Sequence, residues 1–478
     1  MRLRSHAQTL AAVCDWHFSL AKVAFALLAV CSVLASECKA GTSASQPLAA
    51  LSPCALSISH DGGRIFVACA TGCEVVIVDR QKGAVIQRIA LPAPPSGLAL
   101  SADGTQLFVT CAAVNSTVCI LNTSTGKLLN TIAAGHSSMA PVLSADQRTL
   151  FVCDRFDDSV AAINLAGRTV TVHMKVQREP VAAALTPNGD RLLVANHLPS
   201  GRSDLDVVAA AVSVIDTHGR TVLKHISLPS GSTQLRGICV SPDGRVGAVT
   251  HLLARFHLPV TQVERGWVMC NALSLIDVPQ MKLLNTVLLD NLDRGAANPW
   301  AVGWTEDGKF ICVTHAGTHE LSVLDAPALL AKLGTLSSTA SPHSPPDFNS
   351  ASRTPTEAAD DLAFLVGLRS KIPLSGNGPR ALALSGPHVW VANYFSDSIG
   401  SIDLRQPPPT PSCVPLQPAA VTSLPRQGER LFNDATLCFQ SWLSCASCHS
   451  SDARVDGLNW DLLNDGVGNP KNSKSLLL

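Results

Sequence analysis

The residues with the plainest chemistry lie near the C-terminus, as Cys445-Ala-Ser-Cys448-His449. Two cysteines three positions apart can each take one haem vinyl group as a thioether. The adjacent histidine then falls on the iron as proximal ligand. A Cys-x-x-Cys pair can also be redox-active or bind zinc, here through Cys438, Cys445, Cys448 and His449. The histidine in the next position and an export signal at the other end of the chain favour one covalent haem c. A thioredoxin-like site would need a βαβ context, which this part of the sequence lacks.

A second set of polar residues recurs at one place in a repeat: Asp154, Arg155, Asn196, His197, His251, His315 and Asn393. Each follows an apolar run, so the repeat is expected to gather them around one mouth of a channel. They can satisfy loop backbone groups or line a wet channel. Alternatively, His197, His251 and His315 form a metal site, with Asp154, Arg155 and Asn393 beside them. A carboxylate-rich ligand set would need more than Asp154.

The repeat supplies the scaffold. A short apolar stretch, Ser or Thr, a turn around Asp-Gly and an apolar β-run recur from Ser59, Ser101, Ser144, Thr186, Ser241 and Thr305, with a shortened copy from Ser385 to Val391. A second phrase of alternating apolar residues follows each copy and ends in Asp79, Asn122, Asn164, Asp216, Asp277, Asp325 or Asp403. Asp-Gly and Asn-Gly supply the positive φ of tight hairpins, and Val, Ile, Leu and Phe suit buried strands. The early copies recur about every 42 residues, the length of a four-stranded propeller blade. Seven copies predict seven blades, each burying its faces against its neighbours. The segment near Leu48 to Leu51 is a candidate for latching the ring.

These phrases resemble the YVTN-type propeller family, also called lactonase-like or surface-layer repeats, over about 55–415. Val-Ala-Asn at 194–196 and 391–393 comes closest to the naming motif. The resemblance implies the fold. It says little of activity, because propellers host many. The period stretches where blade four inserts His197 to Val208 and blade five inserts His251 to Asn271, both on one face. Blade six inserts a helix (Pro327 to Leu333), a Ser/Pro-rich loop (Ser337 to Pro355) and a second helix (Glu357 to Ser370). Long insertions of this kind usually mark a binding face.

After the Pro-rich linker Gln406 to Pro411, Arg426 to Phe432 reads as a short helix. The order Gly428-Glu-Arg-Leu-Phe432, Cys445 to His449, Asp456-Gly457 and Gly466 to Leu476 resembles the first haem domain of the bacterial di-haem cytochrome c peroxidase family, over about 425–478. The resemblance implies haem ligation by Cys445, Cys448 and His449, a second haem domain beyond, and electron transfer to peroxide or a protein substrate. The sequence departs from it. No Met or His follows His449, and no second Cys-x-x-Cys-His is present. The haem segment therefore reads as truncated. Otherwise its iron is open, or a propeller histidine supplies the sixth ligand.

Composition narrows the remaining classes. Lys+Arg and Asp+Glu both number 36, which gives no basic footprint for nucleic acid. Aromatic residues make up 4% with a single Tyr, too few for base-stacking platforms. Arg2, Arg4 and Lys22 precede an apolar run from Val23 to Ala35, the pattern of a signal peptide cleaved after Ala35 or Ala40. No other long apolar run follows, so no integral membrane span is expected after cleavage. Export would permit disulfides among the 16 cysteines. Cys69/Cys73 and Cys111/Cys119 each flank a hairpin, and both cross-strand pairing and buried free thiols remain open.

The expected protein is all-β: a signal peptide (1–40), a seven-bladed β-propeller (41–416) and a short, incomplete α-helical c-type cytochrome segment (417–478). It is expected in the periplasm or at the cell surface. A redox partner protein or a small-molecule substrate would meet the propeller face. Three functions follow in order: electron transfer through covalent haem, an envelope scaffold with a vestigial haem segment, and a lactonase-like metal-dependent hydrolase.

Overall fold

A computed structural model describes residues 49–258, 267–336, 352–406, 408–419, 422–461 and 470–477. The expected signal peptide lies outside the described residues, as do residues 337–351 of the Ser/Pro-rich loop. The chain divides into the units Met1–Leu48 and Ala49–Leu478, and all that follows concerns the second.

That unit is mostly β. Seven antiparallel sheets of consecutive strands span 53–90, 95–133, 138–175, 180–227, 232–288, 299–373 and 379–415. Six have four strands. The fifth splits its innermost strand into Ser232–Thr233 and Ile238–Val240, both paired with Val246–Ala254. Innermost strands of successive sheets touch, and that of the seventh touches that of the first, closing a seven-bladed propeller.

The turns explain the regularity of the sequence. In six blades a Ser or Thr hydroxyl accepts from the backbone N–H five residues on, as Ser59, Ser101, Ser144, Thr186, Ser241 and Thr305 do. In five of these the hydroxyl also donates to the aspartate two residues on: Asp61, Asp103, Asp146, Asp243 and Asp307. Hydroxyl and amide donors hold these carboxyls below their usual range, Asp103 at about 2. A depressed folded-state pKa gives stability that is present above about pH 4 and lost as pH falls toward 2. The thermal midpoint should therefore drop between pH 4 and pH 2.5. A midpoint that stays flat through this window would contradict that role for the turns.

The third strands end as the sequence predicts. Asp79, Asn122, Asn164, Asp216, Asp277, Asp325 and Asp403 each accept a backbone N–H two or three residues ahead, at 2.6–3.1 Å. In all blades but the sixth this Asx turn reverses the chain into the outer strand, while Asp325 caps the helix that follows it. Between blades, alternate side chains interlock. Phe66 packs with Leu107 and Val109 of the next blade, and Phe151 with Leu192 and Val194. Each such buried side chain contributes ~1.5–3 kcal/mol.

The ring closes without exchanging a strand. Leu51 packs against Trp390, Ile399 and Leu416. Ser52 N donates to Asp397 Oδ1 at 2.9 Å, and Gln417 Nε2 bridges Asp397 Oδ2 at 2.9 Å and Ala49 O at 3.0 Å. All four strands of blades one and seven come from contiguous chain.

Two insertions differ from expectation. In blade five the pairing runs on past His251, which faces Ala272, to Ala254 facing Met269. The hairpin is therefore extended where a loop was expected. In blade six the first helix forms as Ala326–Gly334, with Asp325 Oδ1 accepting from Ala328 N and with Leu329 and Leu333 buried. The second is only Pro355–Ala358, capped by Thr354 and Glu357. Beyond it Gly367 turns at φ +77°, and Arg369–Pro373 is drawn off to pair with Glu320–Leu324 as the outer strand.

Among the described residues the cysteines are free thiols, and Cys111 Sγ and Cys119 Sγ approach to 3.8 Å within the core. No described helix is long and apolar enough to cross a membrane.

Candidate functional site

The Cys-x-x-Cys-His residues occupy one short helix, Cys445–His449. Ser444 starts it, and Ser447 Oγ accepts from Ser444 N at 3.0 Å. Cys445 is exposed. Cys448 is half-buried beside an apolar cluster that includes Phe256, Leu458 and Trp460, and burial pushes its thiol up to about 12. His449 Nδ1 lies 2.8 Å from Lys474 O. A carbonyl can only accept, so the proton sits on Nδ1 and the Nε2 lone pair is left for a metal.

The loop after the helix is tied down by Asp456. Its buried carboxylate accepts from Leu458 N at 3.1 Å, Trp460 Nε1 at 2.7 Å and Ser473 Oγ at 2.8 Å. The flanking helix Leu424–Asn433 is capped by Ser423 and covers the expected 426–432.

The propeller holds this segment mainly through residues in or just before its innermost strands. Gln234 Nε2 donates to Ala446 O at 3.2 Å and Ser447 O at 2.7 Å. Asn298 Nδ2 donates to Ser444 Oγ and accepts from Ser447 Oγ through Oδ1, both at 2.8 Å. Asn271 Nδ2 donates to Trp442 O at 3.1 Å, and Thr233 Oγ1 to Asp456 O at 2.6 Å. Arg155 binds Glu179 and Asp452, each at 2.8 Å, and Arg454 adds a contact to Glu179 at 3.3 Å. The fit leaves no room at Gly295, where a Cβ would stand 2.4 Å from Trp442 Cα.

The second-strand residues divide in two. Arg155 and His197 face the docked segment; His197 has Nε2 3.1 Å from Ser450 Oγ and Nδ1 3.0 Å from Leu235 O. The others turn into their blades, most toward a serine of the third strand. Asn196 donates to Ser213 Oγ at 2.9 Å and Asn393 to Ser398 Oγ at 3.1 Å. His251 Nε2 lies 2.8 Å from Ser274 Oγ, and His315 Nε2 2.7 Å from Ser322 Oγ. Their Nδ1 atoms meet Leu252 O and Ala296 O. Burial pushes His251 down to about 4 and His315 well down, so both are neutral. Asp154 is buried and accepts from Ser138 Oγ at 2.6 Å and Gly135 N at 3.2 Å. Burial raises its pKa. The expected ligand set of His197, His251 and His315 is therefore not assembled, because each ring is spent on carbonyls and hydroxyls. Among the described residues no three or more His, Cys, Asp and Glu side chains are placed to hold a bare metal ion, which also leaves the zinc alternative at Cys438, Cys445, Cys448 and His449 without a ligand set.

Gln234, Asn271 and Asn298 were not singled out from the sequence. No spacing rule marks them: Asn271 lies inside the paired ladder opposite Leu252, and Gln234 and Asn298 meet partners 213 and 149 positions away.

Fold and site together define a class: a seven-bladed β-propeller with a Cys-x-x-Cys-His segment seated on one face. The chain is similar to hydrazine synthase subunit beta of Kuenenia stuttgartiensis, 27% identical over 203 residues that cover 39% of this chain and 49% of that subunit. It is also similar to the gamma subunit of the same enzyme, 45% identical over 53 residues covering 11% of this chain and 15% of that subunit. The chain thus spans about half or less of the curated relatives it matches. Among solved structures, hydrazine synthase of the same organism superposes with a TM-score of 0.65 over 76% of this chain and 98% of that one, at 22% identity. At that identity the likeness shows the fold. No protein-family model matches the chain.

Proposed function

We propose that the chain is an exported propeller–cytochrome c fusion that carries one covalent haem and passes electrons within a redox assembly of the hydrazine synthase kind. Cys445 and Cys448 hold the haem as thioethers, and His449 is the proximal ligand. The observation that carries this is the His449 ring, whose Nδ1 is engaged by Lys474 O while Nε2 is left free, one residue after paired cysteines on a single helical turn. That is how a metal-ligating histidine is normally oriented by its surroundings. Exposed Leu431, Leu437, Phe439 and Leu476 belong to the same segment and supply apolar surface of the kind a macrocycle covers. A bound haem would supply a one-electron couple. The protein supplies the two attachment points, the ring orientation and a rigid seat. Similarity to stretches of two subunits of one enzyme supports a place in a multi-subunit complex. Kinship of the haem segment with di-haem peroxidases, and an address in the periplasm or at the cell surface, belong to the same proposal.

The test is a pyridine haemochrome spectrum of the full chain made with a cytochrome c maturation system, beside a Cys445→Ala/Cys448→Ala control. The expected result is about one covalent haem per chain, absent from the control. Folded protein with no covalent haem would sink this reading. It would favour an envelope scaffold instead, for which the many direct bonds between segment and propeller already suffice.

A further inference from the structure

A cavity of about 550 Å³ runs along the propeller axis, and every blade contributes to its wall. Most of that wall is apolar, from residues such as Leu98, Val142, Ala182 and Ile238. At the mouth beneath the docked segment stand three guanidiniums, those of Arg155, Arg236 and Arg380. Arg155 is spoken for by Glu179 and Asp452. The other two are not. Arg236 Nη2 donates to neutral groups only: Ser451 Oγ at 2.9 Å, Ser450 Oγ at 3.4 Å and Gln234 Oε1 at 3.3 Å. Arg380 Nη2 donates to Asn433 Oδ1 at 3.0 Å, and its buried Nε has no partner.

Both side chains stack on Trp300, with the Arg236 and Arg380 carbons 4.1 Å and 4.5 Å from its ring centre. Tyr394 lies 3.9 Å from Arg380. These rings fix the two cations in place, yet a π face offsets a desolvated charge only in part. The carboxylates that act on Arg236 from further off, Asp452 and Glu179, are bound by Arg155 and Arg454; Glu429, which acts on Arg380, is bound by Arg426. Burial pulls Arg236 down to about 9. A buried cation without a counter-charge is costly, and proteins resolve such a site by pairing it or by binding an ion.

We propose that the axial cavity is an anion site, in which the guanidiniums of Arg236 and Arg380, each stacked on Trp300, supply the positive charge that draws in a compact oxyanion or carboxylate. The guanidinium fork matches planar oxygen pairs, and the apolar wall below raises the strength of each contact. The site lies on the propeller axis and does not depend on haem attachment.

Calorimetric titration of the full chain in chloride-free buffer, with sodium acetate and separately with sodium sulfate, tests this. The wild type should show one saturable site for at least one of the two. Arg236→Gln and Arg380→Gln should each weaken it at least tenfold, while Arg405→Gln, on the exposed rim, leaves it unchanged. In anion-free buffer both channel variants should unfold at the same or a higher temperature than the wild type, because an uncompensated charge has been removed. No saturable binding to the wild type, equal affinity in all proteins, or a clear fall in the variants' unfolding temperature would each overturn the proposal. The last would make these arginines structural supports of the docked segment.

Discussion

Glu179→Gln is expected to destabilise the folded chain by ~3–5 kcal/mol, chiefly by loosening the C-terminal segment from its seat. Glu179 is 3% exposed and is the acceptor for Arg155 at 2.8 Å, with Arg454 at 3.3 Å and Arg178 at 3.8 Å around it. Arg155 then reaches Asp452 of the segment. Removing the central charge leaves a mostly buried arginine with half its compensation, the costly way to break an ion pair. Adding Arg155→Gln should recover part of the loss, because the orphaned cation goes too. Urea unfolding of the two single variants and the double variant gives the coupling energy. Strict additivity would show that the network contributes nothing as a unit.

Asp290→Ala removes a second support. Asp290 is fully buried and accepts from Asn271 N at 2.7 Å, Asn271 Nδ2 at 2.8 Å and Ala296 N at 2.7 Å. Asn271 in turn accepts from Asn298 N at 2.9 Å and holds Trp442 O. Asn298 grips Ser444 and Ser447 at the start of the Cys445–His449 helix. Truncation strands three donors at ~1–3 kcal/mol each, and the sum is not additive. The loss should also depend on pH. Burial raises the Asp290 carboxyl from 3.8 to about 6. Its folded-state pKa therefore lies above that of the unfolded chain, so the contribution is fully present below about pH 4 and lost as pH rises through 6. The shift is worth ~3 kcal/mol. The stability gap between wild type and Asp290→Ala should thus be larger at pH 4 than at pH 7. A gap that widens toward neutral pH would mean that Asp290 sits in the fold as a stabilised anion.

Much of the fold was legible because its determinants are local. Ser101 and Asp103 meet within two residues, and Asn122 bonds Thr125 three residues on. Such contacts leave a pattern that repeats with the blade. The Cys-x-x-Cys-His segment was legible for the same reason, since Cys445, Cys448 and His449 share one short helix. What sequence reasoning missed is long-range. Asn298 meets Ser447 149 positions away, and Gln234 meets Ala446 across 212. No spacing rule marks such pairs. The blade-five insertion went wrong because the residue at the position of His251 ends the second strand in the other six blades, whereas here the ladder simply continues. The metal alternative for the histidines stayed open because residue type alone does not reveal that a serine waits on the next strand for His251 and His315, nor that His197 meets Ser450 253 positions away.

The clasp at Leu51, Ser52, Asp397 and Gln417 has a consequence for how the ring can be cut and made. Every blade is a continuous stretch of chain, so its strands find partners close in sequence and can form in the order in which they are synthesised. Within the ring of blades, the joint between the first and seventh is the one that brings distant chain together, as the docking of the C-terminal segment does outside it. A circular permutant of the ring alone, with residues 49 and 417 joined by a linker and the chain opened in another inter-blade loop, such as 91–94, breaks no strand. The joint would then form early as a local contact, and the last step of ring assembly would move to wherever the new cut lies.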